Sequence, residues 1–290
     1  MIKTCLLGLG RTGMVVAEQL IKSEAFKLNS VIAKPGSPKA GKNIQDFCQT
    51  NEDLMIADSE NLTSEIHSKG FQVAIDFTTP EATLRNARIL AEHGVHIVVG
   101  TTGFNNMQLY ELKKLVQDHR IGLVYAPNIS VGINLLLSVA RTIARLIPQY
   151  DVEITETCHQ NKKDAPSGTA IKIANELIEA KNGANRGKLI KCGRKGNTQR
   201  EPGEIGIHSI RAGGNEGVHK VLFAGECEEL EITHRSYSRV AYAEGALKAA
   251  AFINRTKGFF HMEDVLLAER MERDMRVAAN RLYLRFNSNP

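Results

Sequence analysis

At 290 residues, with 42% hydrophobic and 24% charged side chains, the chain has an ordinary globular composition and enough length for two domains, each with its own core. No apolar run approaches the roughly 18 residues that a membrane-spanning helix needs, so no membrane partner is expected. A formal net charge of +5 is too small to draw nucleic acid by charge alone, and none is expected as a partner.

The N-terminus opens Met1-Ile2-Lys3-Thr4 and turns directly into an apolar strand, without the sections of a secretory leader, so a cytoplasmic location is expected. Ile2 to Leu7 reads as that strand. Directly after it stands Gly8-Leu9-Gly10-Arg11-Thr12-Gly13, opening a helix that runs from Gly13 to Ser23. Glycines there permit a tight turn and close backbone approach, while unpaired N–H groups at the helix start attract a pyrophosphate. The pattern alone is weak, but its place between strand and helix points to dinucleotide binding rather than a merely tight turn.

Leu28 to Ala33 reads as the second strand. Where an NAD site usually carries an acidic residue for the ribose hydroxyls, the sequence has Ala33-Lys34, with Ser37, Lys39 and Lys42 nearby. A 2′-phosphate would meet cations there, so NADPH is the preferred cofactor and NADH the second choice; the other reading is a solvated basic loop. Further strands are predicted over Val73 to Phe77, Val95 to Val99 and Gly122 to Tyr125, with helices over Pro80 to Glu92 and Met107 to His119. This alternation predicts an α/β fold with a Rossmann-type, doubly wound parallel sheet.

After Ser130 the texture changes. A helix from about Gly132 to Ile147 leads to Asp151 to Thr157, whose alternation fits a half-buried strand, and similar runs follow at Ile205 to Arg211, His219 to Ala224 and Glu229 to His234. They predict an α+β domain with a mixed open sheet and helices on one face. Between them Lys188, Lys191, Arg194, Lys195 and Arg200 read as a solvated basic loop, with an oligomer or substrate contact as the other reading. Helices are expected over Ala241 to Ile253 and Glu263 to Arg285, the latter with Val265, Leu266, Met271, Met275, Val277, Ala278 and Leu282 as a packing face. Residues 1–129 are therefore expected to bind the dinucleotide, completed by helices within 240–290, and residues 130–239 to bind substrate. The five cysteines show no zinc spacing; reduced thiols and no metal are expected.

The most informative stretch runs Glu156-Thr157-Cys158-His159-Gln160-Asn161-Lys162-Lys163-Asp164-Ala165-Pro166-Ser167-Gly168-Thr169-Ala170. Ser167 is a good N-cap for the helix that follows, and the N–H groups of Gly168 and Thr169 would face solvent or an anion. His159 and the lysines upstream suit a carboxylate substrate and a proton donor; the alternative is a capped helix with surface lysines.

The stretch resembles the signature of the dihydrodipicolinate reductase family, also called 4-hydroxy-tetrahydrodipicolinate reductases: a His-His pair, two residues, Lys, one residue, then Asp-Ala-Pro-Ser-Gly-Thr-Ala. Val73 to Thr78, Val98 to Phe104, Asn128 to Asn134 and Gly203 to Ser209 resemble further family segments in family order. The resemblance implies reduction of the cyclic product of pyruvate and aspartate semialdehyde to tetrahydrodipicolinate, with NADPH or NADH, on the diaminopimelate and lysine pathway. It assigns proton donation to Lys162, substrate binding to His159, and carboxylate binding to Gly168 and Thr169. Cofactor contacts fall on Gly8 to Gly13, on Gly100, Thr101 and Thr102, and on Ala126, Pro127, Asn128 and Ile129. A homotetramer joined through the second-domain sheet is also implied.

One position departs from the pattern. The first histidine of the pair, the family's acid-base group, is here Cys158. It reads as a small neutral replacement, a working site residue, or a redox-sensitive thiol whose thiolate nearby cations favour. The departure leaves two alternatives to the family reaction: a paralogous reductase of another cyclic imine or unsaturated amino acid, or a non-catalytic dinucleotide-binding sensor. The tail after about Leu267 extends past the usual family end.

Overall fold

The computed structural model describes residues 1–182 and 190–287. In chain order it begins with β1 (Ile2–Leu7), α1 (Arg11–Lys22), β2 (Phe26–Ala33), β3 (Ile56–Asp58), α2 (Leu62–Lys69), β4 (Val73–Asp76), α3 (Pro80–Glu92), β5 (His96–Val99), α4 (Asn106–His119) and β6 (Gly122–Tyr125). There follow α5 (Val131–Leu146), β7 (Asp151–Cys158), α6 (Gly168–Asn182), β8 (Ile190–Cys192), β9 (Ile205–Arg211), β10 (Gly217–Ala224) and β11 (Glu229–Ser236). The chain ends with α7 (Val240–Ile253), β12 (Gly258–Phe260) and α8 (Met262–Asn287). Two compact units result: residues 1–131 with 242–290, and residues 132–241.

The first unit is built on a seven-stranded sheet in the order β12-β6-β5-β4-β1-β2-β3, and every pairing is parallel. Its strands are apolar on both faces because both faces are covered. Leu6, Val31, Ile75, Val98 and Val124 pack with α1, α7 and the start of α8, whereas Leu7, Ile32, Ala74, Ile97 and Leu123 pack with α2, α3 and α4. Local chemistry sets the helix starts. Thr79 Oγ1 accepts from Ala82 N–H ahead of Pro80 in α3, and Asn105 and Gln108 form a reciprocal capping box on α4. Strand order reverses beside β1, between β2 on one side and β4 on the other, which opens a ligand crevice at the carboxyl ends of those strands.

The second unit carries a five-stranded sheet in the order β11-β10-β7-β9-β8. β7, β8 and β9 run parallel and β10 and β11 antiparallel to their neighbours, so the sheet is mixed. Its inner face joins Val152, Ile154, Ile205, Ile207, Val221 and Phe223 to apolar residues of α5 and α6 in one core.

Several elements were not read from the sequence. β3, β8 and β12 are three residues each, too short to show a period of two, and α2 is eight residues of mixed polarity. β12 means that the C-terminal segment adds a strand, not helices alone, to the first sheet. Two expectations are corrected. Among the described side chains of α8, Met262 and Val265 are buried in the core and Leu266 is half-buried, while Met271 and Met275 are 65% and 62% exposed; Val277, Ala278 and Leu282 lie outside the described side chains. In the basic segment Lys188 lies outside the described residues; Lys191, Arg194 and Lys195 are exposed as expected, Arg194 pairing with Glu204, whereas Arg200 is half-buried and pairs with Asp151 and Glu153. The carboxylates that hold Arg200 stand on β7, the central strand of the sheet.

Candidate active site

The glycine turn opens the crevice of the first unit. Gly8 has φ +93°, and a Cβ there would come within 2.4 Å of the Phe77 carbonyl oxygen; a Cβ on Gly13 would lie 1.9 Å from the Gly8 carbonyl oxygen. Those two glycines let the turn close and the helix pack on the strand. At Gly10 nothing lies within 4 Å of where a Cβ would stand, so the backbone there faces open space. A cavity of about 490 Å³ begins at this point, lined by Gly8, Leu9 and Gly10 on one side and by Lys34, Ser37 and Lys39 on another. Lys39 Nζ donates to the Leu9 carbonyl at 2.7 Å and stands 5.1 Å from the Phe47 ring centre, which ties the basic loop to the glycine turn. Lys42 is not among the lining residues, whereas Arg85 of α3, which the sequence reading did not single out, is. The open backbone at Gly10, the helix start and the facing cations fit a dinucleotide.

A smaller crevice of about 240 Å³ brings Gly10, Arg11, Thr12 and Gly13 together with Gly100, Thr101 and Thr102. Ala126, Pro127, Asn128 and Ile129 line neither crevice. Ala126 and Ile129 are buried in the core, and Asn128 Oδ1 accepts from Ser130 N–H.

Beneath the loops that follow β4 and β5 sits Asp76, which is 1% exposed. Its Oδ1 accepts from Thr78 N–H at 2.9 Å and from the hydroxyls of Thr78, Thr83 and Thr101 at 2.7, 2.8 and 2.9 Å. Burial pushes its carboxyl above the ordinary aspartate value, against the pull of those donors. The arrangement fastens Thr101, on the loop after β5, to the end of β4. The sequence signal was an acidic residue inside an otherwise apolar strand.

In the second unit the stretch from His159 to Ala170 links β7 to α6. Ser167 caps α6 as expected, its Oγ accepting from Ala170 N–H at 3.2 Å. Gly168 is exposed with open space on its Cβ side, Thr169 and His159 are half-buried, and Lys163 is exposed. Lys162 N–H donates to the His159 carbonyl, and its ammonium lies 2.7 Å from Asp164 Oδ1. Cys158 is 3% exposed at the end of β7. Burial and the Glu156 charge push its thiol above the ordinary cysteine value against the pull of Arg211 and Lys162, which weighs against the thiolate reading and favours a small neutral replacement.

Sequence reasoning missed the group under this loop. Glu156 is fully buried, and its Oε1 accepts from Ser167 N–H at 3.0 Å, Ser209 Oγ at 2.8 Å and Arg211 Nη2 at 2.7 Å. His219 Nε2 lies 3.4 Å from Ser167 Oγ. The available signal was register: Glu156 and Ser209 fall on inward positions of strands that are otherwise apolar.

The two halves match known proteins. Residues 2–129 match the family description "Dihydrodipicolinate reductase, N-terminus" and residues 132–266 the description "Dihydrodipicolinate reductase, C-terminus". The chain belongs to the dihydrodipicolinate reductase family. A relative from Methanococcoides burtonii, named 4-hydroxy-tetrahydrodipicolinate reductase, is 38% identical over 259 residues, covering 89% of this chain and 95% of its own. One of the same name from Ralstonia nicotianae is 39% identical over 259 residues, with 89% and 96% covered. Among solved structures, a dipicolinate-bound dihydrodipicolinate reductase from Paenisporosarcina sp. TG-14 superposes with a TM-score of 0.74 at 27% identity, covering 90% of this chain and 97% of its own. An amine dehydrogenase from Mycobacterium smegmatis, at 13% identity and a TM-score of 0.62, shares the fold. The family's reductases use NAD(P)H, and the first unit is its dinucleotide-binding domain. Among the described residues no helix is long and apolar enough to cross a membrane.

Proposed function

We propose that this protein is a 4-hydroxy-tetrahydrodipicolinate reductase that prefers NADPH. The observation that carries the reading is the Lys162–Asp164 ion pair, on the loop leading into α6, in a chain whose other unit holds an open glycine-turn crevice. The dipicolinate ligand of the Paenisporosarcina structure supports a cyclic dicarboxylate as substrate.

A reduced nicotinamide supplies the hydride. The chain's residues supply the rest. The start of α6 at Gly168 and Thr169 offers N–H groups and the positive end of the helix to a substrate carboxylate, with His159 as a further contact. Lys162, paired with Asp164, delivers the proton that completes reduction of the unsaturated ring. Cys158 has no part in that transfer, because a buried thiol with a raised pKa is a poor acid. Lys34, Ser37 and Lys39 favour a 2′-phosphate over a bare ribose hydroxyl. Gly100 to Thr102 complete the cofactor contacts, and Ala126 to Ile129, which line neither crevice, support the site from the core. The protein acts as a cytoplasmic homotetramer; the support for association is the outer face of the five-stranded sheet, opposite α5 and α6, where Ile210 is 46% exposed.

Turnover is measured with NADPH and the fresh condensate of pyruvate and aspartate semialdehyde. Lys162→Ala is expected to lower kcat by about 10²-fold or more while the Kd for NADPH holds. Absence of turnover in the wild type overturns the activity, and a higher kcat/KM with NADH overturns the cofactor preference.

A further inference from the structure

The inner face of the second unit's sheet is apolar for most of its length and polar at one end. Val152 and Ile154 on β7, Ile205 and Ile207 on β9, and Phe223 and Val221 on β10 form its apolar rows. The same rows continue into Glu156, Ser209 and His219, which the strand register sets side by side: Glu156 is opposite Ser209 on one neighbour and opposite His219 on the other. An apolar side chain at position 156 would continue the core, and a buried carboxylate there is unfavourable against one of similar size. Local stability does not account for it.

What the carboxylate does is visible in its donors. One oxygen of Glu156 takes the Ser167 N–H, the Ser209 hydroxyl and the Arg211 guanidinium. Arg211 Nη2 also donates to the Asp164 carbonyl. The Asp164 carboxylate in turn holds the Lys162 ammonium at 2.7 Å. Both ends of the segment from Asp164 to Ser167 are thus fastened to a single buried charge, one end through Arg211 and the other directly. The proton donor and the start of α6 flank that segment.

We propose that Glu156, acting with Arg211, is a positioning residue for the reaction: it fixes the segment between Lys162 and α6 so that the ammonium and the Gly168–Thr169 turn address the same dicarboxylate. The proposal deepens the reading of the substrate loop given above and rests on it for the identity of the ligand. Glu156 touches no reacting atom. Its effect is on where the neighbouring groups stand, so it acts on substrate binding and not on the cofactor.

Glu156→Gln keeps the shape and one acceptor oxygen and removes the charge that Arg211 pairs with. The expected result is a rise in KM for the cyclic substrate of about tenfold or more, an NADPH Kd within about twofold of wild type, and amide exchange about tenfold faster in peptides spanning residues 159–170 but unchanged in α5. Ser209→Ala removes one donor of the three and is expected to give a smaller rise of the same kind; it decides the matter if Glu156→Gln does not fold. An NADPH Kd that weakens in step with KM, or exchange over 159–170 as slow as in the wild type, overturns the positioning role. If the wild type turns over no cyclic dicarboxylate, the functional reading fails by that result alone. The exchange comparison then decides the clamp: acceleration confined to residues 159–170 sustains it, and unchanged exchange overturns it.

Discussion

His219 shows what a polar inlay costs a core. It is 7% exposed, and burial first, then the nearby His234, Lys162 and Arg211 charges, lower its pKa to about 4 against the pull of Glu156. An ordinary histidine takes up its proton near 6.5. Between those two values the unfolded chain binds a proton that the folded chain refuses, so stability falls as pH drops from 6.5 towards 4. The gap corresponds to about 3 kcal/mol, at about 1.4 kcal/mol per pH unit. Glu156 works in a lower window. Burial pushes its carboxyl up, the donors on Ser167, Arg211 and Ser209 outweigh that, and its pKa ends below the ordinary glutamate value. Its contribution is therefore intact above the ordinary carboxylate range and is lost only as pH falls through the depressed value. The prediction is that His219→Gln melts with a smaller loss of thermal midpoint than the wild type between pH 6.5 and 4.5, and with a constant offset above pH 7. Parallel curves over the whole range would remove His219 from the account.

At the scale of elements, the first sheet is held together at its functional end by one carboxylate. Four donors from the loop after β4, from α3 and from the loop after β5 converge on Asp76 Oδ1, and a buried hydrogen-bonding group left without its partner costs about 1–3 kcal/mol. Asp76→Asn keeps an acceptor oxygen but adds two N–H groups in a site crowded with hydroxyls. It is expected to weaken NADPH binding by about tenfold, because Thr101 and its neighbours in the smaller crevice lose their tether, and to lower the thermal midpoint. An unchanged Kd in isothermal titration would show that the loops hold their place without it. The same elements show why some features were legible and others not. Gly8 to Gly13 could be read because the strand, the glycine spacing and the helix are contiguous, and Ser167 because an N-cap is a local event. Asp76 and Glu156 were passed over as site residues because their meaning lies in partners 25 and 55 residues away, Thr101 and Arg211, which only sheet registration brings near. β12 escaped because Gly258-Phe259-Phe260 is a strand only by virtue of pairing with β6. The starts of α1 and β2 lie two residues earlier than expected, within the fraying expected of such boundaries.

For the molecule as a whole, the order of elements along the chain makes the first unit depend on residues that follow the second. α7 supplies Ala243, Ala246, Ala249, Ala250 and Ile253, all fully buried, to one face of the seven-stranded sheet, and β12 forms that sheet's edge. The fit is close. A Cβ on Gly245 would stand 1.8 Å from the Ile129 carbonyl oxygen, so the helix meets the backbone after β6 directly. A chain ending at Arg239 would uncover the part of that face that α7 and the start of α8 cover, leaving α1 alone on it, and the burial lost is comparable with the roughly 5–15 kcal/mol by which a domain is stable. It is expected to lose NADPH binding and cooperative melting of the first unit together. α8 divides differently. Val265 is fully buried and Glu269 pairs with Lys248 of α7 at 2.7 Å, but Leu267, Met271 and Met275 are exposed, so the described contacts with the core end about two turns into the helix. A chain ending at Asp274 should bind NADPH as the full-length protein does and melt within a few degrees of it. A collapse of binding or of the melting transition in that shorter truncation, measured on the assembled protein, would mean that the extension past the family's usual end carries part of the fold.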